Sequence, residues 1–405
     1  MNLEKVSWGG VAEELSAPSG SRSVLMLSLV HPDFLAPIYS VAQVLRDLGF
    51  VVDIVSFSSP FPTAVDLGAG VQLHDCGPHS GALPQRVRAR RRFRLVSSEL
   101  VENMRPRAII AACPFSFLEA MRWRAQGRSI LYHSYEMYNE TLTSWFRSPG
   151  SAARNWLARR RMRAADLVCV PSRERAEWLF ARAGLSRLPS VVLNVPYRGL
   201  HPPPEESREI ARRLLPDHFH DRELVIHTGN VTSTQFVREL VSCAEFLPPS
   251  AALIVTNVGA SAYAIEVSES AATSRRARDI ALLPGLPRRE MLALQRVSRV
   301  GVCLIRPGDN VESSLPAPNK VAEYLHASLV VVGTPSEYLS KLDSDGVGVV
   351  VPEPSARLLG EAICRGLALA ANPRTVARVR SLAAAEWEMR EQIRPILAAL
   401  GISRR

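Results

Sequence analysis

A chain of 405 residues with 47% hydrophobic and 22% charged side chains is globular and too long for one ordinary core, so two domains are expected. The net charge of +10 rests on 49 basic residues, of which only Lys5, Lys320 and Lys341 are lysines. No basic face with interleaved aromatics accompanies that charge, which argues against nucleic acid and suits small anionic ligands or an acidic membrane surface. Six scattered cysteines without a CxxC pair, no apolar run of bilayer length and a polar N-terminal segment predict a reduced, cytoplasmic protein.

Strand and helix signals alternate along the chain. The apolar run 24–30 is followed by residues 38–50 with helical spacing of Ile38, Val41, Val44 and Leu45 up to Gly49, and then by the strand-like run 51–57, which makes a βαβ unit. The theme continues through the run starting at Val71, an arginine-rich helix to about Met104, strand 108–113, a helix near 115–125, strand 129–135, and a helix capped by Ser172. At 201–222 three prolines and a charge cluster read as a semi-rigid linker between an N-terminal domain, 1–200, and a second domain, 223–373. The second domain repeats the alternation from Glu223. A helical segment at 374–405 has no strand after it and is expected to cross back onto the first domain. The predicted fold class is therefore α/β, with two facing Rossmann-like, doubly wound parallel sheets. Ligands of such sheets bind beyond the carboxyl ends of the strands, in the cleft between the domains. Neither GxGxxG after the first strand nor a P-loop pattern is present.

The segment 313–334 carries the most chemistry. Pro316 and Pro318 hold the chain extended, Asn319 can cap a helix, and Lys320 and Glu323 fall three apart on it. A helix N-terminus beside a lysine is an anion site, and a carboxylate one turn later can accept paired ribose hydroxyls, a combination that suits a nucleotide diphosphate. An ordinary capped helix with a surface Lys–Glu pair has the same spacing.

Residues 318–334, PNKVAEYLHASLVVVGT, resemble the sugar-nucleotide segment of the family 4-type (group 1) glycosyltransferases of GT-B fold. The segments at 164–179, 191–196, 224–248 and 282–305 resemble that family's further motifs in order and spacing. The resemblance implies that Gly229 and Asn230 lie near the donor phosphates, that Lys320 neutralises the diphosphate, and that Glu323 holds the ribose. In the first domain it implies that His133 and Glu136, just past a strand, contact the transferred sugar or the acceptor. His31 and Asp33 are weaker acceptor-side candidates. Two positions depart from the family pattern: no basic residue follows Asn230 until Arg238, and Leu315 stands where a second glutamate is usual. Ser313, Ser314 or Arg306 are the available substitutes.

The resemblance further implies a metal-independent, retaining transfer of sugar from a nucleotide diphosphate sugar, the donor substrate, to an acceptor hydroxyl, with no cofactor. A sugar-nucleotide epimerase or hydrolase and a non-catalytic sugar-nucleotide-binding subunit are the alternatives. Asp343-Ser344-Asp345 has the form of a metal-binding DxD, but Gly346 makes it a turn. The arginine clusters at 86–94 and 154–163, the second with Trp156 and Leu157, are candidates for peripheral contact with an anionic membrane at its inner face.

Overall fold

Every strand pairing among the described residues is parallel, in two open sheets. The computed structural model describes residues 22–32, 36–58, 67–78, 83–135, 148–306 and 319–402. The first sheet contains β1 (Ser23–Leu27), β2 (Val51–Ser56), β3 (Val71–Asp75), β4 (Ala108–Ala111), β5 (Ser129–His133), β6 (Leu167–Val170) and β7 (Ser190–Val191), in spatial order β3-β2-β1-β4-β5-β6-β7. The second contains β8 (Glu223–His227), β9 (Ala251–Val255), β10 (Ile280–Leu282), β11 (Val300–Cys303), β12 (Val330–Gly333) and β13 (Gly348–Val350), ordered β10-β9-β8-β11-β12-β13. Strand order reverses direction between β1 and β4 in one sheet and between β8 and β11 in the other, and those are the two crevices that an α/β fold offers to ligands.

Local sequence explains the elements. Central strands such as Ala251–Val255 are buried along their whole length, as strands covered by helices on both faces must be. The helix Ala36–Asp47 stops where Gly49 takes φ +81°, and the helix Arg173–Ala183 starts at Ser172, whose Oγ accepts from the Arg175 N–H at 3.3 Å. The Asp-Ser-Asp segment closes the helix Glu337–Ser344: Asp345 pairs with Arg378 at 3.1 Å and Gly346 turns the chain at φ +69°.

The expected linker is different. Residues Pro204–Leu214 form a helix docked on the helix Arg288–Val297, with Ser207, Ile210 and Ala211 buried and with the pairs Arg213–Glu290 and Arg289–Glu206 at 2.5 and 2.6 Å. Pro204 occupies the first helical turn, Glu205 and Glu206 meet its positive end and Arg212 and Arg213 its negative end. The prolines thus start a helix, with charges matched to its dipole.

The C-terminal segment crosses back as expected, but it is broken at Trp387. The helix Pro373–Glu386 packs against the helix Asn319–His326, and Met389–Gln392 against Ala36–Asp47. Ile393, Ile396 and Leu400 join the buried cluster of Ile38, Val41 and Leu45, and the Gln392 Oε1 accepts from the Leu193 N–H at 3.4 Å. No helix among the described residues is long and apolar enough to cross a membrane. In the first arginine cluster Phe93 is fully buried, stacked on Phe57 at 5.4 Å, so it is not an inserting side chain; in the second, Arg160 lies over the Trp156 ring at 4.9 Å.

Candidate functional site

The reversal between β8 and β11 is built around a glycine and a lysine. β8 ends at His227; Thr228 and Gly229 follow, and Gly229 has φ +107°, a backbone state that a side chain resists. A Cβ at Gly229 would lie 2.6 Å from Lys320 Cε and 2.8 Å from Nζ, so the lysine runs directly across the turn. Lys320 sits in the first turn of Asn319–His326 and its ammonium donates to Gln235 Oε1. Burial lowers its pKa, with Cys303 and Glu323 opposing that shift.

Tyr324 locks this helix against the sheet. Its hydroxyl accepts from the Thr228 N–H at 3.0 Å, and its ring lies against Gly301 of β11, where a Cβ would come within 2.4 Å of ring carbons. His227 Nδ1 is 3.1 Å from the Val302 carbonyl, which can only accept, so Nδ1 carries the proton. Burial and then the Lys320 charge push the His227 pKa down to about 3. The ring is neutral at physiological pH.

Asn319 Oδ1 at the start of the helix is buried with no hydrogen-bond partner among the described residues. Asn230 is held by Asn257, whose amide donates to Asn230 Oδ1 at 2.9 Å. Lys320, Gly229 and Asn319 are therefore brought together, with Asn230 next in the turn. Glu323, about one turn further along the same helix, is held by other partners: its Oε1 accepts from Arg288 at 2.8 Å and its Oε2 from Gln295 at 3.1 Å, and the side chain is 9% exposed. Burial alone would raise this carboxyl, but Arg288 and Gln295 outweigh it and hold the pKa below the usual range. Gln295 Oε1 in turn lies 3.1 Å from His201 Nε2, so a buried polar chain runs from His201 to Arg288. Gln235, Arg288 and Gln295 were not legible as site residues, since nothing in their local spacing marks them; only the Pro287–Arg288 helix start resembles a motif.

Arg306 lies just past the end of β11. Its N–H donates to the Thr234 carbonyl at 2.7 Å, and its guanidinium is 4.3 Å from the centre of the Phe236 ring. The short loop 232–236 is thus bracketed by two cations, Lys320 at Gln235 and Arg306 at Phe236.

On the first sheet His133 closes β5, 1% exposed, with its ring 4.1 Å from that of Tyr135. The Val192 backbone approaches it, yet neither ring nitrogen makes a well-formed hydrogen bond among the described residues. Burial pushes its pKa down to about 3. Tyr135 Oη and both amide atoms of the buried Asn194 are likewise without partners among the described residues. Buried polar groups are normally paired, so a cluster of unsatisfied ones points to a ligand or to water. Asn194 was missed as a candidate, although it lies within the resembling segment 191–196. His31 is buried after β1. Glu136, Asp33, Ser313 and Ser314 lie outside the described residues.

The carboxyl edges of the two sheets approach each other. Glu174, at the start of the helix that follows β6, and Glu337, at the start of the helix that follows β12, lie close enough to shift each other's titration, Glu174 down and Glu337 up. Arg175 beside it donates to the Tyr135 carbonyl at 3.0 Å. His133 and Lys320 therefore belong to edges that face a common cleft.

Solved structures with this arrangement cover the chain almost entirely. HepE from Anabaena, in complex with UDP-glucose, superposes with a TM-score of 0.65 over 94% of this chain and 99% of its own, at 14% identity. Sucrose-phosphate synthase from Thermosynechococcus elongatus gives 0.62 over 94% and 99%, at 17% identity. The fold is GT-B. Residues 38–195, most of the first GT-B lobe, match the family model for Glycosyltransferase Family 4. A Listeria monocytogenes protein assigned as a UDP-N-acetylglucosamine 2-epimerase shares the GT-B architecture, with a TM-score of 0.58 over 94% and 96% of the two chains at 12% identity. No curated protein sequence matches the chain.

Proposed function

We propose that this GT-B protein is a glycosyltransferase that takes a nucleoside diphosphate sugar, with uridine diphosphate the first nucleotide to try, and transfers the sugar to an acceptor hydroxyl. The observation that carries the reading is the passage of Lys320 over Gly229 at the β8–β11 reversal. A turn without a side chain exposes backbone N–H groups, the Asn319 helix adds its positive end, and the lysine supplies a full charge. Charge accumulates on the diphosphate as the bond from its oxygen to the anomeric carbon breaks, and these groups are already oriented to meet it. Arg306 takes the part of the basic residue absent after Asn230, since its stacking on Phe236 holds the guanidinium beside the same loop. Two cations make a divalent metal unnecessary, so turnover would persist in chelator.

Glu323 is the ribose residue in this reading. Arg288 keeps it ionised, and each carboxylate oxygen retains a lone pair for a hydroxyl. Transfer proceeds with retention: the acceptor oxygen bonds to the anomeric carbon on the face that the diphosphate leaves, and the acceptor proton passes to a leaving phosphate oxygen. His133, with a pKa of about 3, is too weak a base for that proton at neutral pH and serves instead to hold sugar or acceptor, with Glu136 beside it in sequence.

Calorimetry with UDP and UMP tests the donor site. UDP should bind at least tenfold more tightly than UMP, with Lys320→Ala removing the difference; equal affinities would reject it. An epimerase or hydrolase would turn over UDP-glucose without acceptor, as mass analysis would detect, whereas a binding subunit would bind UDP and transform nothing.

A further inference from the structure

The far edge of the second sheet carries a different constellation. At the amino ends of β8 and β11, one strand length or about 16 Å from the donor turn, lies a cavity of about 440 Å³, within the range of small-molecule sites. Its wall includes Arg208 and Arg212 from the helix Pro204–Leu214, Arg222 before β8, Arg296 and Arg299 before β11, and Arg380 from the C-terminal helix. Arginine is one in three of the lining residues and about one in nine of the chain, and no carboxylate among the described residues lines the cavity. Composition alone does not give that ratio.

Two of the six are engaged: Arg222 with Asp279 at 3.4 Å and Arg380 with Ser328 Oγ at 3.1 Å. Arg208, Arg212, Arg296 and Arg299 have no ion pair among the described residues. Helix carboxyl ends at Leu214, Val297, His326 and Ala370 also reach this edge, and arginines commonly neutralise such ends. Each end carries about half a negative unit, about two in all. With Asp279 added, about three of the six positive charges are still unanswered. Leu215, Phe219 and Leu224 give the cavity an apolar floor that limits hydration of whatever enters.

We infer that this cavity binds a small molecule carrying two or more phosphate groups, at a site separate from the donor turn. Guanidinium forks match phosphate oxygens in pairs, and the four without an ion pair, two from the helix Pro204–Leu214 and two from the chain leading into β11, line one volume. The inference does not depend on the donor reading.

Calorimetry of the full chain with inorganic tripolyphosphate at physiological ionic strength tests it. Measured in a Lys320→Ala background, so that the donor turn contributes little, Arg212→Gln with Arg299→Gln should weaken the remaining binding by about tenfold or more. A second pair on other positions, Arg208→Gln with Arg296→Gln, should do the same, and melting curves certify that each variant is folded. Absence of tripolyphosphate binding in the wild type, or binding that both arginine pairs leave intact, would overturn the inference; so would binding abolished by Lys320→Ala alone. Phosphatidylcholine vesicles with and without cardiolipin, whose headgroup carries two phosphates, separate the sources. Cosedimentation that needs cardiolipin and the same arginines assigns the site to a lipid headgroup, and tripolyphosphate binding without it to a soluble phosphate ester.

Discussion

Replacing Gly229 by alanine separates a backbone role from a binding role. At φ +107° an alanine costs on the order of 1–3 kcal/mol of backbone strain. Its Cβ would also sit 2.6 Å from Lys320 Cε, about 1 Å inside an ordinary carbon contact. Lysine is long and flexible, so the cheap response is for Lys320 to leave the turn and release Gln235, and the fold should survive with a lowered melting temperature. The loss falls on the ligand. A charge-assisted hydrogen bond to phosphate is worth about 1.5–3 kcal/mol, which is about tenfold to a hundredfold in Kd for UDP. Calorimetry on Gly229→Ala, Lys320→Ala and the double variant measures it. Because both changes remove the same contact, the double variant should bind UDP no more weakly than Lys320→Ala. If Gly229→Ala binds UDP as the wild type does, Lys320 does not reach the phosphates from this turn and the donor reading fails.

Tyr324→Phe removes the acceptor of the buried Thr228 N–H and should cost about 1–3 kcal/mol, read as a lower urea midpoint; an unchanged midpoint would deny the hydroxyl its anchoring role. His133, His201 and His227 have pKa values pushed down to about 3, 4 and 3, against 6.5 when unfolded. The stability that goes with their neutral forms is fully present above 6.5 and is lost as pH falls toward 3, so melting temperature should drop through that window and His133→Phe should shallow the drop. Glu337 is raised above the ordinary carboxylate range by the neighbouring Glu174, so what this approach contributes is present below about pH 4.5 and is lost as pH rises. Glu337→Gln should hold the lobes together at neutral pH, and an unchanged small-angle scattering profile would count against that.

The alternation of apolar runs made the two sheets readable, because strands buried on both faces leave an unmistakable imprint at the sequence level. Lys320 and Gly229 were readable for a similar reason, one being a rare lysine at a helix start and the other a glycine closing a strand. The helix at Pro204 was missed although its proline start and charge order are local signals; consecutive prolines suggested extension first. The partners of Glu323 were out of reach for a different reason. Arg288 and Gln295 precede it by 35 and 28 residues and meet it only through tertiary packing, which no spacing rule encodes. Asn194 belongs to the same class, a polar side chain whose isolation is visible only once its surroundings are folded.

The return of the tail to the first lobe means that this lobe is not a contiguous stretch of polypeptide, whereas the second one is. A fragment ending near residue 200 would lack Ile393, Ile396 and Leu400, uncovering the hydrocarbon around Ile38 and Val41, and would aggregate for that reason alone. Anyone dissecting the halves needs to graft residues 389–402 onto the amino-terminal piece. The same layout ties the halves by two covalent straps, one near His201 and one at Trp387, so any relative swing is confined to the axis that joins them, like a door on a pair of hinges.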